Sequence, residues 1–270
     1  MIDLICIDVD GTLVGTAGVV PEAVWDAAAR ARARGIRLAV CTGRPAMGRA
    51  RVYAERLDAS GWHVFQNGAS VVHLGTGESR SRHLSQRAVE WLKARARATG
   101  WILELYTDDD YATESGADRA RRHAELLGVP FRPRALSTLE GPIVRGQWLV
   151  SPEEVDDVVA EPHEDIHLSL SHAPQMPDTV FVNVTPADVD KASAVRVVAD
   201  ALGARLERTM MVGDSLNDLS VMRIVGHPVA MGNAAPEVHA AARHRVAHVD
   251  DGGLAEALEL AMRLGDLGGS

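Results

Sequence analysis

Apolar and polar positions change period along the chain, and the changes divide it in three. In the first third, apolar runs at residues 2–7 and 36–41 read as strands, and the stretch 21–34 between them reads as a helix, giving βαβ order. Pro21 suits the first helical turn and Gly35 suits the stop. A second helix is expected over 46–57 and a strand over 62–66, closed by the turn signal Asn67-Gly68. From about residue 83 to 184 helices (85–98, 117–127, 152–159) mix with strands (101–107, 144–150, 166–170, 179–184). Ile166, Leu168 and Leu170 alternate with polar residues, as do Val180, Val182 and Val184, which predicts an antiparallel sheet with one covered face. After Lys191 the βα alternation resumes, with a helix to about Leu202, a strand over 209–212 and a helix over 217–224.

This order predicts an α/β fold: a Rossmann-like parallel-sheet core built from residues 1–82 and 185–270, interrupted by an α+β domain over 83–184. Ligands of open parallel sheets bind at the carboxyl ends of the strands, so functional residues should stand just after strands.

Composition narrows the function. Hydrophobic residues make up 46 % and charged residues 24 %, the balance of a folded globular chain. A formal charge of −9 disfavours nucleic acid and anionic membrane as partners, and an anionic ligand would need local positive charge. Cys6 and Cys41 sit in apolar runs and read as buried free thiols. With no basic leader and no apolar run near the roughly 18 residues of a membrane span, a cytoplasmic enzyme is expected. No motif specifies an oligomeric state.

Four segments carry candidate chemistry, each at an expected strand end or helix start. Asp8-Val9-Asp10-Gly11-Thr12 brings two carboxylates to one side of the chain, suited to one group that attacks and one that moves protons, with Gly11 permitting a tight turn. Thr42-Gly43-Arg44 offers a hydroxyl, backbone amides and a guanidinium for an anion, or else a helix N-cap at Thr42. Lys191 opens a helix, where the dipole gives it no structural motive. Gly213-Asp214-Ser215-Leu216-Asn217-Asp218 adds two carboxylates. If Asp8, Asp10, Asp214 and Asp218 converge, their mutual repulsion demands compensation, which Mg2+ and Lys191 would supply.

In order and content these segments resemble the haloacid dehalogenase superfamily, especially its Cof-type sugar-phosphatase branch (subfamily IIB). Asn67-Gly68-Ala69 and Ala230-Met231-Gly232-Asn233-Ala234 are also similar to recurrent stretches of that branch, whereas Ala192 departs from the Gly that commonly follows the Lys. The resemblance implies a Mg2+-dependent phosphatase acting on a small phosphorylated metabolite, such as a sugar phosphate, with 83–184 as its cap. It implies Asp8 as nucleophile forming an aspartyl phosphate, Asp10 as acid and base, and Thr42, Gly43 and Lys191 as the phosphate grip. It also implies Mg2+ on the Asp8 carboxylate, the Asp10 carbonyl and Asp214, with Gly11, Thr12, Arg44, Asn217 and Asp218 in support. A phosphomutase or specialised sugar-phosphate phosphatase is the enzymatic alternative, and a non-catalytic metabolite-binding protein the alternative of another class.

Two further patterns read as bland. His163-Glu164-Asp165-Ile166-His167 matches a zinc-protease motif that works only on a helix, and the period-two run that follows predicts a loop entering a strand. Arg119, Arg121, Arg122, Arg132, Arg134 and His172 read mostly as surface residues.

Overall fold

The computed structural model describes residues 2–160, 163–173 and 175–267. They form two compact units. The first joins the chain up to Gly43, Val52–Arg80 and everything from Asp190 onward; the second joins Arg44–Arg51 to Ser81–Val189.

In chain order the elements begin with β1 (Leu4–Ile7), α1 (Glu22–Ala33), β2 (Arg37–Val40), α2 (Gly48–Asp58), β3 (Trp62–Phe65) and β4 (Ser70–His73). There follow α3 (Gln86–Thr99), β5 (Ile102–Tyr106), β6 (Tyr111–Thr113), α4 (Asp118–Leu127), β7 (Arg145–Val150), α5 (Val155–Val159), β8 (Ile166–His172) and β9 (Val180–Pro186). The chain closes with α6 (Lys191–Leu202), β10 (Thr209–Gly213), α7 (Leu219–Met222), β11 (His227–Ala230), α8 (Pro236–Ala241), β12 (His244–Arg245) and α9 (Gly253–Leu267).

The first unit is built on a five-stranded sheet of order β12-β11-β10-β1-β2, parallel throughout. The first and last thirds of the chain therefore share one sheet, as the βα alternation requires. β1 lies between β10 and β2 with all four residues buried, which explains why its sequence is apolar without alternation. Register sets Ile7 beside both Val40 and Val212, so β1, β2 and β10 end level with one another. β3, the strand expected over 62–66, does not join the large parallel sheet's order. It pairs antiparallel with β4, a strand the sequence reading missed, and meets the large sheet's end through one parallel bridge between Cys41 and Val64. Cys6 and Cys41 are buried free thiols.

The second unit carries an antiparallel sheet of order β6-β5-β7-β9-β8. The expectation of one covered face is corrected here: all seven residues of β9 are buried. Val180, Val182 and Val184 enter an apolar core with Leu92, Leu103 and Trp148. On the other face Phe181 packs on His123 of α4, and Asn183 is buried because Ser169 and Ser171 accept its amide protons. Leu170 of β8, expected inside, is exposed at the sheet edge. Among the described residues no helix is long and apolar enough to cross a membrane.

Candidate active site

Three parallel strands ending level place their following residues together. Asp8 follows β1, Thr42 lies just past β2, and Asp214 follows β10. Asp8 is 4 % exposed and its backbone N–H donates to Val212 across the sheet at 3.0 Å. Gly11 then turns the chain with φ +80°, and a Cβ there would stand 2.3 Å from Asp214 Oδ2, so only glycine lets this turn lie against Asp214. Thr12 is buried and its hydroxyl donates to Asp214 Oδ1 at 3.2 Å.

Lys191 has the structural motive that its sequence position concealed. It is 1 % exposed at the first position of α6, and its Nζ donates to Asp8 Oδ1 and Asp218 Oδ1, each at 2.7 Å. Asp190 caps the helix by accepting from Ser193 N–H, which frees Lys191 to turn inward. Burial alone would lower the ammonium's proton affinity, but Asp218 and Asp8 outweigh it and hold Lys191 above its ordinary pKa.

Asp218 is saturated. Lys191 occupies its Oδ1, and the backbone N–H groups of Asp214 and Ser215 both donate to its Oδ2 at 3.1 Å. The expected helix over 217–224 is a short 3-10 turn at Leu216–Asp218 followed by α7, and this turn carries the Asp218 carboxylate back onto those two amides. Asp214 is pushed up to about 6 by burial and by Asp218, against hydrogen bonds from Thr12 and Ser215. Asp8 is raised well above the carboxylate range by burial; Lys191 opposes the shift, and Asp218, Asp214 and Asp10 add to it.

Three carboxylates thus share one ammonium in a buried place. Oxygens of Asp8, Asp214 and Asp218 all lie within 4.8 Å of one another. Hard oxygen donors with unmatched negative charge are what a small divalent cation such as Mg2+ requires, so these residues fit one. Asp218 is tied by Lys191 and two backbone N–H groups, and Asp8, Asp214 and Asp218 together offer the carboxylate oxygens that would hold it.

The remaining expected residues are placed as follows. The Asp10 carboxylate is exposed, and Asp10 and Val14 bridge across the turn. Thr42 is buried, with its N–H on Val64 and its carbonyl accepting from Asn67; since α2 begins at Gly48, Thr42 is no N-cap. Gly43 lies against the Asn67 amide, while Arg44 belongs to the second unit. Asn217 donates to Asn67 Oδ1 at 3.2 Å. His163 stands in a loop and His167 on β8, so the zinc-protease spacing never meets a helix. Arg121, Arg122 and Arg134 form surface ion pairs with Asp118, Asp178 and Asp110.

Two asparagines were missed as site residues. Asn233 donates to the Gly11 carbonyl at 2.8 Å, accepts from Val249 N–H at 3.0 Å, and stands 3.5 Å from Asp214 Oδ2. Asn67 joins Thr42 to Asn217. Both fall in stretches singled out in the sequence, Asn67-Gly68-Ala69 and Ala230–Ala234, and their position just after β3 and β11 was the available signal.

The model of a haloacid dehalogenase-like hydrolase matches residues 5–258. The chain is 26 % identical to the HMP-PP phosphatase of Escherichia fergusonii, over 90 % of this chain and 89 % of that protein. It is 25 % identical to the 5-amino-6-(5-phospho-D-ribitylamino)uracil phosphatase YwtE of Bacillus subtilis, over 87 % of this chain and 89 % of that one. A solved subclass IIB sugar phosphatase of the same superfamily superposes with a TM-score of 0.79 at 23 % identity, covering 95 % of this chain and 98 % of that chain, a likeness of fold.

Proposed function

Because the chain belongs to the haloacid dehalogenase-like hydrolases, in their Cof-type branch, we propose that it is a Mg2+-dependent phosphatase that hydrolyses a small phosphorylated metabolite through an aspartyl phosphate on Asp8. The observation that carries this reading is the imbalance of three buried carboxylates against Lys191 at the ends of three parallel strands. A purely structural network would balance its charge.

In this mechanism Asp8 forms the new O–P bond as the ester O–P bond breaks, and Asp10 gives its proton to the departing oxygen. Water then attacks the phosphorus of the aspartyl phosphate, Asp10 takes the water's proton, and the Asp8 carboxylate leaves as inorganic phosphate is released. The exposure of Asp10 suits a group that must reach both leaving group and water, while the burial of Asp8 holds the nucleophile in one orientation. Lys191 orients Asp8 through Oδ1 and, with Thr42 and Gly43, faces the phosphoryl oxygens. Asp8, the Asp10 carbonyl and Asp214 would hold Mg2+, which would supply positive charge to offset these carboxylates against a phosphate dianion. Gly11, Thr12, Asn217 and Asp218 support that arrangement.

The named relatives fit a small phosphorylated metabolite as substrate, a sugar phosphate or similar compound. We assign substrate choice to the inserted segment 83–184 and, from the two buried free thiols, a reducing cytoplasm as the working compartment. The test is turnover of an aryl phosphate after exhaustive chelation and again after Mg2+ is returned. Loss and recovery are expected; full turnover in chelator contradicts the magnesium assignment, and no turnover under either condition contradicts the phosphatase.

A further inference from the structure

Among the described residues, Gln66 and Asn67 are the non-glycines with positive φ, at 55° and 56°, and they are consecutive. Gly68 follows at +102°. Left-handed backbone at two successive side-chain-bearing residues persists only where the surroundings enforce it. Here the contacts come from three segments that carry candidate site residues.

Asn67 N–H donates to the Thr42 carbonyl at 3.0 Å, fixing the backbone that leads into Gly43. Asn67 Oδ1 accepts from Asn217 Nδ2 at 3.2 Å, tying in the loop that bears Asp214 and Asp218. Gly68 lies so close to the start of α6 that a Cβ would stand 2.2 Å from the Asp190 carbonyl and 3.1 Å from Lys191 N, so the turn also abuts the backbone that launches Lys191. One strained turn therefore touches segments separated widely in sequence, each of which supplies a different part of the site.

We propose that Asn67 is a positioning residue: its side chain, offered from a left-handed backbone, sets the spacing between the Thr42-Gly43 loop and the Asp214–Asp218 loop. Asn suits the position because it tolerates positive φ better than most residues and presents an acceptor on a short side chain. Asn67 has no proton to move and no role in the bond changes; it acts through Thr42 and Asn217. The assignment rests on the phosphatase reading for its catalytic consequence, though not for its geometry.

The test compares Asn67→Gly, Asn217→Ala and the double variant with the wild-type protein. Glycine keeps the positive φ and deletes the side chain, so the turn persists without its bond to Asn217. With a saturating aryl phosphate, kcat should fall on the order of ten- to a hundredfold in Asn67→Gly while KM stays within about twofold, since orientation rather than binding is lost. The thermal midpoint should move by no more than about 3 °C. The double variant should be no slower than the worse single variant, because both substitutions cut one link. Amide NMR shifts should change at Thr42, Gly43 and the Asp214–Asp218 loop, a readout independent of turnover. Unchanged kcat in Asn67→Gly, kinetic losses that multiply, or shifts confined to 66–68 would each overturn the proposal. If the wild-type protein turns over no aryl phosphate, the phosphatase reading fails while the amide shifts still decide whether Asn67 couples the two loops.

Discussion

Each compact unit buries a group of charged side chains, and the two groups differ in balance. In the second unit Glu104 of β5 lies among Tyr106, His123 and Arg145: Tyr106 OH and His123 Nδ1 both contact its Oε2, the latter at 2.8 Å. The Arg145 guanidinium stacks 4.2 Å over the Tyr106 ring and donates to Asn183 Oδ1 at 3.3 Å. One carboxylate is matched by one guanidinium, whose charge Glu104 favours across the group. In the first unit Asp8, Asp214 and Asp218 share Lys191. A balanced buried network organises a sheet face; an unbalanced one is relieved by taking up protons, as the raised proton affinities of Asp8 and Asp214 show, or by binding a cation. Burial of charge by itself therefore marks nothing, and the deficit is the signal.

The largest expected effect separates the two groups directly. Under the proposed function, Lys191→Met should reduce turnover of an aryl phosphate by about a hundredfold or more, because the ammonium that holds Asp8 Oδ1 is lost. In chelator it should also cost about 3 kcal/mol of stability by urea denaturation, because buried carboxylates lose their partner. Added Mg2+ should restore part of the stability and little of the turnover. A variant with near wild-type turnover would remove Lys191 from the site.

His63 sharpens the comparison from inside the first unit. Its ring is fully buried, with Nδ1 accepting from Val40 N–H at 3.0 Å and Nε2 donating to the Asp58 carbonyl at 2.8 Å, so both nitrogens are occupied by the neutral form. Burial pushes its pKa down from 6.5 to about 4. On acidification the unfolded chain takes up this proton near pH 6.5 while the folded chain resists until about 4, so stability falls as pH drops through that window. The loss should approach about 3 kcal/mol by pH 4, and His63→Gln should flatten that part of the stability profile. An unchanged profile in His63→Gln would show that the imidazole does not carry it.

The smallest effect belongs to the balanced network. Glu104→Gln should lower stability by about 1–2 kcal/mol through weakened hydrogen bonds, and leave aryl phosphate turnover within about twofold. A loss of turnover comparable to that of Lys191→Met would erase the distinction between the two groups.

Much of the site was legible because parallel sheets place chemistry immediately after strands. Asp8, Thr42 and Asp214 could be read as neighbours once their segments were read as strand ends. Lys191 could be expected to compensate converging carboxylates, but which two it bonds could not be read, since Asp8 and Asp218 arrive from distant segments. Asn67 and Asn233 were hidden for a related reason: an Asn-Gly or Gly-Asn pair signals a turn, and nothing in the pair says which loops the turn will hold together. In the second unit the alternation of β9 correctly sided its valines, while the burial of Phe181 against His123 of α4 and that of Asn183 through its bonds to Ser169 and Ser171 are features that periodicity does not carry.

The claim that Asp8 is the nucleophile, with Asp10 moving protons, is tested most directly by rapid mixing of Asp8→Asn and Asp10→Asn with an aryl phosphate, and by mass measurement of the quenched protein. Asp8→Asn should show no burst and no adduct, whatever the leaving group. Asp10→Asn should show a burst of aryl alcohol, slow turnover and a phosphoryl group trapped on Asp8, because a stable leaving anion needs no proton while hydrolysis of the intermediate still lacks its base. A burst and adduct in Asp8→Asn, or an adduct on any other residue in Asp10→Asn, would contradict the account.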